Sequence, residues 1–167
     1  MTRRLTLGGL LLLALLLETT VLDYFSIRKV EPDIVLLLGV FFALFNGPAK
    51  GALFGFIGGL AQDLLVGQFI GINALTKMVT CYLMGKVEQR VYKDHVLVPA
   101  GFLFLASIIN EVLFYLIGRM AGLSIEWTGA FNRVILPLAI YNAVLAPLFY
   151  NLFYRSHTRG WLKKQEY

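Results

Sequence analysis

The chain has 167 residues, is 58% hydrophobic with a mean hydropathy of +0.72, and carries only 15% charged residues. A soluble domain of this size has about a quarter charged residues and an apolar share nearer one half, so the composition excludes an ordinary water-soluble domain and points to one compact integral membrane unit. Cys81 is the only cysteine, which excludes an intramolecular disulfide and a cysteine-based metal cluster, and the net charge of +5 is explained below by its placement, without nucleic acid as a partner.

Taken in chain order, Met1 to Arg4 followed by LTLGGLLLLALLL has the basic start and apolar core of a signal peptide. No small-x-small cleavage site follows, so residues 5–22 read as a retained first span. Glu18 falls in its last turns and must face protein or the interface, because burying an ionised group in lipid costs several kcal/mol. Its two readings are an interfacial glutamate and a partner-facing carboxylate. Asp23–Glu31 is a polar connection. Pro32 then disfavours helix at Glu31, and Asp33 is placed to cap the next helix by accepting its free N–H groups.

The second apolar segment, 34–45, reaches only about 18 Å against a hydrocarbon core of about 30 Å. Either Asp33 and Asn46 lie below the lipid surface, shielded by protein, or the segment does not fully span; the first is expected, because capped polar ends are tolerated inside a bundle. Asn46-Gly47-Pro48 breaks the helix, and Pro48 suits the first turn of the next. The third span, 49–66, belongs to a stretch in which small residues recur every fourth position: Gly47, Gly51, Gly55, Gly59, then Gly67 and Gly71, with Asp63 at the missing step. On a helix that spacing forms one ridge, and a ridge of glycines is a groove open to close backbone approach. It either packs against the chain's own helices or, with Asp63, meets a partner protein.

A turn at 67–73 leads to a fourth span, 74–90, and a charged loop over 86–95. The fifth span, 96–117, carries the adjacent pair Asn110 and Glu111, and a connection over 119–133 leads to the sixth, 134–154, bent by Pro137 and Pro147. Tyr141, Tyr150 and Tyr154 resemble an interfacial aromatic belt, and the tail, 155–167, is basic. Six spans put both termini on one side. That side holds ten Lys and Arg residues and the other five, which predicts cytoplasmic termini. Attraction of the tail to anionic lipid is a secondary possibility, and five spans are the competing topology.

No enzyme motif is found. His95 and His157 sit in predicted loops without acidic partners at metal-ligand spacing, no serine lies in a nucleophile elbow, and the glycines follow an apolar helix period rather than a phosphate-binding fingerprint. Cys81, flanked by apolar residues, reads as a small packing residue. The intramembrane polar candidates are Asp63 and Lys77, predicted near one end of consecutive helices where they could pair, and Glu111 with Asn110, predicted deeper. No cofactor or metal is called for.

The segment from Val30 to Tyr82 resembles the rod shape-determining protein MreD family. The residues that carry the resemblance are Pro32-Asp33, Gly47-Pro48, Gly51, Gly55-Phe56, Gly59-Leu60, Asp63, Gly67, Gly71 and Tyr82. The resemblance implies a compact, all-α bundle of about six transmembrane helices, similar to the membrane substrate-binding subunits of energy-coupling-factor transporters. It also implies a bacterial inner-membrane component of the elongation machinery, associated with MreC and through it with MreB. Such a component would work beside RodA and its penicillin-binding partner in peptidoglycan synthesis. The expected function is therefore a non-enzymatic scaffold binding MreC. The alternative is a small-molecule-binding or transport subunit with a pocket near Asp63, Asn73, Lys77 and Glu111.

Overall fold

A computed structural model describes residues 2–20, 30–66, 69–88, 97–123 and 129–158, with side chains placed for 7–20, 30–65, 69–87, 98–123 and 129–150. Most of the polar connection after Asp23, Gly67, most of the charged loop over 86–95 with His95, Glu126 and Trp127, and the tail from Arg159 lie outside the described residues. The described chain is helical: α1 Thr2–Thr20, α2 Ile34–Asn46, α3 Pro48–Val66, α4 Ile72–Glu88, α5 Leu97–Met120 and α6 Leu136–Thr158, the last entered through a π-helical turn, Phe131–Ile135. By length and composition, Val98–Met120 and Phe131–Tyr150 are long and apolar enough to cross a membrane, whereas Leu7–Thr20 and Ile34–Asn46 are shorter apolar stretches.

The short helix α2 is the axis of the bundle. Residues Ile34 to Leu44 are buried without a break, and α2 packs on every other helix. A helix apolar on all faces belongs in the centre, where no side needs to meet water. A helix of 13 residues covers about 20 Å, and α2 is enclosed by the other helices along that length. Both of its polar ends find partners within the protein. Asp33 caps it, accepting a bond from the Leu36 N–H at 2.7 Å, and the Asn46 side chain donates to the Phe42 carbonyl at 3.1 Å. Gly47, at φ +89°, turns the chain sharply into α3 while its N–H donates to the Ala43 carbonyl; a side chain there would be strained. Pro48 then occupies the first position of α3, where a missing N–H costs nothing.

The glycine ridge of α3 is filled by this chain. A Cβ on Gly51 would run into Ala43 of α2, one on Gly55 would lie 2.6 Å from the Lys77 carbonyl oxygen, and one on Gly59 would strike the Asn73 carbonyl. The side of α3 bearing Gly58 is just as tight, a Cβ there lying 2.6 Å from Val35. Helices α3 and α4 therefore meet almost backbone to backbone, with Gly85 of α4 against Pro48 at the other end of the pair. Cys81 is buried where α2, α3 and α4 meet, its Sγ filling the gap left by Gly39 and Gly55. Internal packing thus fills the ridge at Gly51, Gly55 and Gly59, whereas a Cβ on Gly47 or Gly71 would meet nothing within 4 Å.

At the entrance to α6 the π-helical turn, in which the Leu136 N–H reaches the Phe131 carbonyl, widens the chain just before Pro137. A wider turn makes room for a ring that would otherwise clash with the preceding turn. Two expectations for this helix are corrected. Tyr150 does not stand in an outward belt; its ring packs on Phe41 and Phe45, with centroids 6.0 and 5.8 Å apart. And α6 continues to Thr158, so that Arg155 and His157 are helical rather than in a tail or loop. The side chain of Tyr154 lies outside the described ones.

Candidate functional site

The polar residues of the apolar helices converge at one end of the bundle, and Asp33 is their hub. Lys77, 1% exposed on α4, places its Nζ 2.7 Å from Asp33 Oδ2 and donates to Asn73 Oδ1 at 3.1 Å. The other Asp33 oxygen is the α2 cap, and its backbone N–H donates to Asn142 Oδ1 of α6 at 3.1 Å. Asn142 Nδ2 in turn donates to Ser107 Oγ of α5 at 2.9 Å, and Ser107 donates to the Leu103 carbonyl. On the other flank Glu18 of α1 accepts from the Val35 N–H of α2 at 2.9 Å and from Gln62 Nε2 of α3 at 2.6 Å. A buried ion is stable only when paired and hydrogen-bonded, and here the Asp33–Lys77, Asp33–Asn142, Asn142–Ser107, Glu18–Val35 and Glu18–Gln62 bonds each join two elements. The network reaches all six helices.

Asp63 is 3% exposed and serves a different purpose from the pair expected of it. It does not bond Lys77. Its carboxylate accepts from the Gly71 N–H at 2.8 Å, the Ala74 N–H at 3.1 Å, the Asn73 N–H at 3.2 Å and Asn73 Nδ2 at 2.9 Å. These are the unpaired donors at the start of α4, which attract a carboxylate by hydrogen bonding and through the helix dipole. Gly71, at φ +107°, supplies the turn that points them at Asp63. Asp63 and Lys77 are connected only through the Asn73 amide. Lys77 goes to Asp33 because the ridge contacts bring α4 flat against α3, while the start of central α2 lies beside the first turns of α4.

Glu18 faces protein, which settles its orientation without assigning it a partner. Asn110 and Glu111 are joined to each other by a long 3.4 Å bond, with Glu111 within electrostatic reach of Lys77 and Asp33. Asn110 is 1% exposed, and its Oδ1 has no hydrogen-bond partner, as is also true of Thr80 Oγ1 and Gln62 Oε1. Tyr82 is exposed on α4, with Lys86 Nζ 5.6 Å from its ring centroid. Pro32 is buried beside Asp33. Gln62, Ser107 and Asn142 were not singled out by the sequence reading. Their signal is an isolated polar residue inside an apolar helix, which in such a segment turns inward to another polar group.

Chemically, the arrangement braces helices. Ser107 Oγ is spent between Leu103 and Asn142, and among the described side chains no base bonds it. Each carboxylate of the hub is occupied by backbone N–H groups, amides or Lys77. Next to the network lies a cavity of about 410 Å³ whose polar lining includes Glu18, Asp33, Gln62 and Asn73. Of the four residues expected around a pocket only Asn73 lines it; Asp63 and Lys77 are buried in the brace, and Glu111 is not in the lining.

Residues 2–156 match the family described as rod shape-determining protein MreD. Neither the curated proteins nor the solved structures contain a match to the chain.

Proposed function

The chain belongs to the MreD family of rod shape-determining proteins, and from that premise we propose that it is a non-enzymatic, multi-pass scaffold of the bacterial inner membrane, which binds MreC and helps organise peptidoglycan synthesis during elongation. The family match over residues 2–156 carries this reading. The polar network supports it: with the exception of Glu111, the buried ionisable groups that would mark a transport path or active site in a membrane protein are tied to one another or to backbone N–H groups, as a rigid platform requires. MreB is reached through MreC, and RodA with its penicillin-binding partner lies alongside. Because Gly51, Gly55 and Gly59 pack against α2 and α4, the partner helix meets an outward apolar face instead. The α6 face of Ile140, Val144 and Leu148 is exposed.

Depleting the protein should convert rods to spheres, and MreC should co-purify with it from detergent extracts. Single cysteines at Ile140, Val144 and Leu148 will place the contact by crosslinking. Normal rods on depletion, together with no MreC in the purified material, would sink the scaffold reading.

One observation favours a second reading, a small-molecule-binding subunit. The cavity beside Glu18 and Gln62 is polar, and Gln62 Oε1 lacks a partner. A small molecule that co-purifies at fixed stoichiometry and is lost in Gln62→Leu would favour it over the scaffold.

A further inference from the structure

A second cavity, of about 520 Å³, is an apolar groove on the outer side of α1 and α3 that the polar network does not use. Leu7 and Leu11 of α1, Leu53, Phe54 and Ile57 of α3, and Phe42 of α2 form its walls and floor. Gly8 opens the α1 side, since a Cβ there would meet nothing within 4 Å. The polar exception is Lys50, which is exposed at one end. The early residues of α1 and α3 line this groove together, and their late residues, Glu18 and Gln62, bond each other, so the two helices run in the same direction. Lys50 therefore stands at the end where α1 begins, which in sequence is the end of Arg3 and Arg4. No acidic residue lines the groove.

We propose that this groove holds an acyl chain of an anionic phospholipid, with Lys50 paired to the headgroup phosphate. Two features select this occupant over a partner's helix. Helices associate in lipid by close approach over small residues, whereas these walls are Leu, Ile and Phe, whose shape suits a flexible chain. The charge is also placed as a headgroup demands: cations gather at the end that the charge count assigns to the cytoplasm, where basic residues beside a membrane attract anionic lipid. A zwitterionic headgroup already pairs its own phosphate with an ammonium and gains less from Lys50.

The inference rests on the membrane placement proposed above but not on MreC. Native mass spectrometry of the full chain in detergent, doped with equal amounts of palmitoyl-oleoyl phosphatidylglycerol and the phosphatidylcholine of the same chains, tests it. Phosphatidylglycerol should be retained in preference. Lys50→Gln should lower its retention about fivefold, the worth of one cation at an anionic surface, and Leu53→Trp should block the groove to both lipids. Lys86→Gln, which removes a cation at the same end of the bundle but outside the groove, should change nothing. Equal retention of the two lipids, an unchanged Lys50→Gln, or an equal loss in Lys86→Gln overturns the proposal. So does a photocrosslinker at Leu53 that captures a protein and no lipid in cells. Failure of the membrane placement has its own signature, a chain that stays soluble without detergent.

Discussion

Lys77 is the most demanding residue in the chain, a full positive charge 1% exposed among helices of leucine and phenylalanine. What makes it tolerable is Asp33 at 2.7 Å and the Asn73 oxygen at 3.1 Å. Removing one member of a buried pair strands the other, at a cost of about 3–5 kcal/mol. Lys77→Met should therefore lower thermal stability in detergent by that amount, and so should Asp33→Asn. The double variant should recover part of the loss, because no charge is then stranded and an asparagine can still cap α2 and receive its bonds. Additive losses would mean that the pair contributes nothing as a pair. Asp63→Asn is a sharper test of geometry. It swaps one accepting oxygen for an N–H₂ that faces N–H donors, two of which reach each oxygen: the Gly71 and Ala74 backbone on one, the Asn73 backbone and side-chain amide on the other. An unsatisfied buried group costs about 1–3 kcal/mol, and the loss should appear as early exchange of the amides of Gly71 and Ala74.

At the level of elements, the contact between α3 and α4 is set by what the glycines leave out. Gly59→Ala forces a methyl onto the Asn73 carbonyl, and overpacking of that kind costs about 1–3 kcal/mol. Gly101→Ala on α5 adds a methyl that meets nothing within 4 Å and should be neutral or stabilising by up to about 1 kcal/mol, from helix propensity alone. Melting curves for the two variants side by side will separate close packing from a general cost of replacing glycine. The face itself was legible from its four-residue period, as were the Asp33 cap and the break at Gly47-Pro48, because each is local. The occupant of the groove was not, since a period identifies a surface and says nothing of what covers it. For the same reason the sequence paired Lys77 with Asp63, its neighbour across a short turn, and only the central position of α2 brings Asp33 to it instead. Ser107 and Asn142, thirty-five residues apart, carry no local pattern that joins them.

At the scale of the molecule, the directions of the helices turn a count of cations into an orientation. Helices α1 and α3 run together, and α4 returns, with Gly59 against Asn73 and Gly85 against Pro48. Lys50 and Lys86 therefore share the end where α1 begins, whereas Glu18, Asp33 and Asp63 share the other. Basic residues are retained on the cytoplasmic side of a membrane, so the first end should be cytoplasmic and the carboxylate end external. α5 leaves the first end and finishes at Met120, which is 89% exposed, and α6 comes back. A membrane-impermeant maleimide can read this directly, because the parent chain is silent: Cys81 is its only cysteine and is buried. In intact spheroplasts Met120→Cys should be labelled, and Lys50→Cys should be labelled only after the membrane is opened. A reporter fused after Tyr167 should be active only in the cytoplasm. Labelling of Lys50→Cys from outside would invert the bundle. A reporter active only outside, with Met120→Cys still labelled in intact cells, would leave an odd number of crossings and remove one of the six spans.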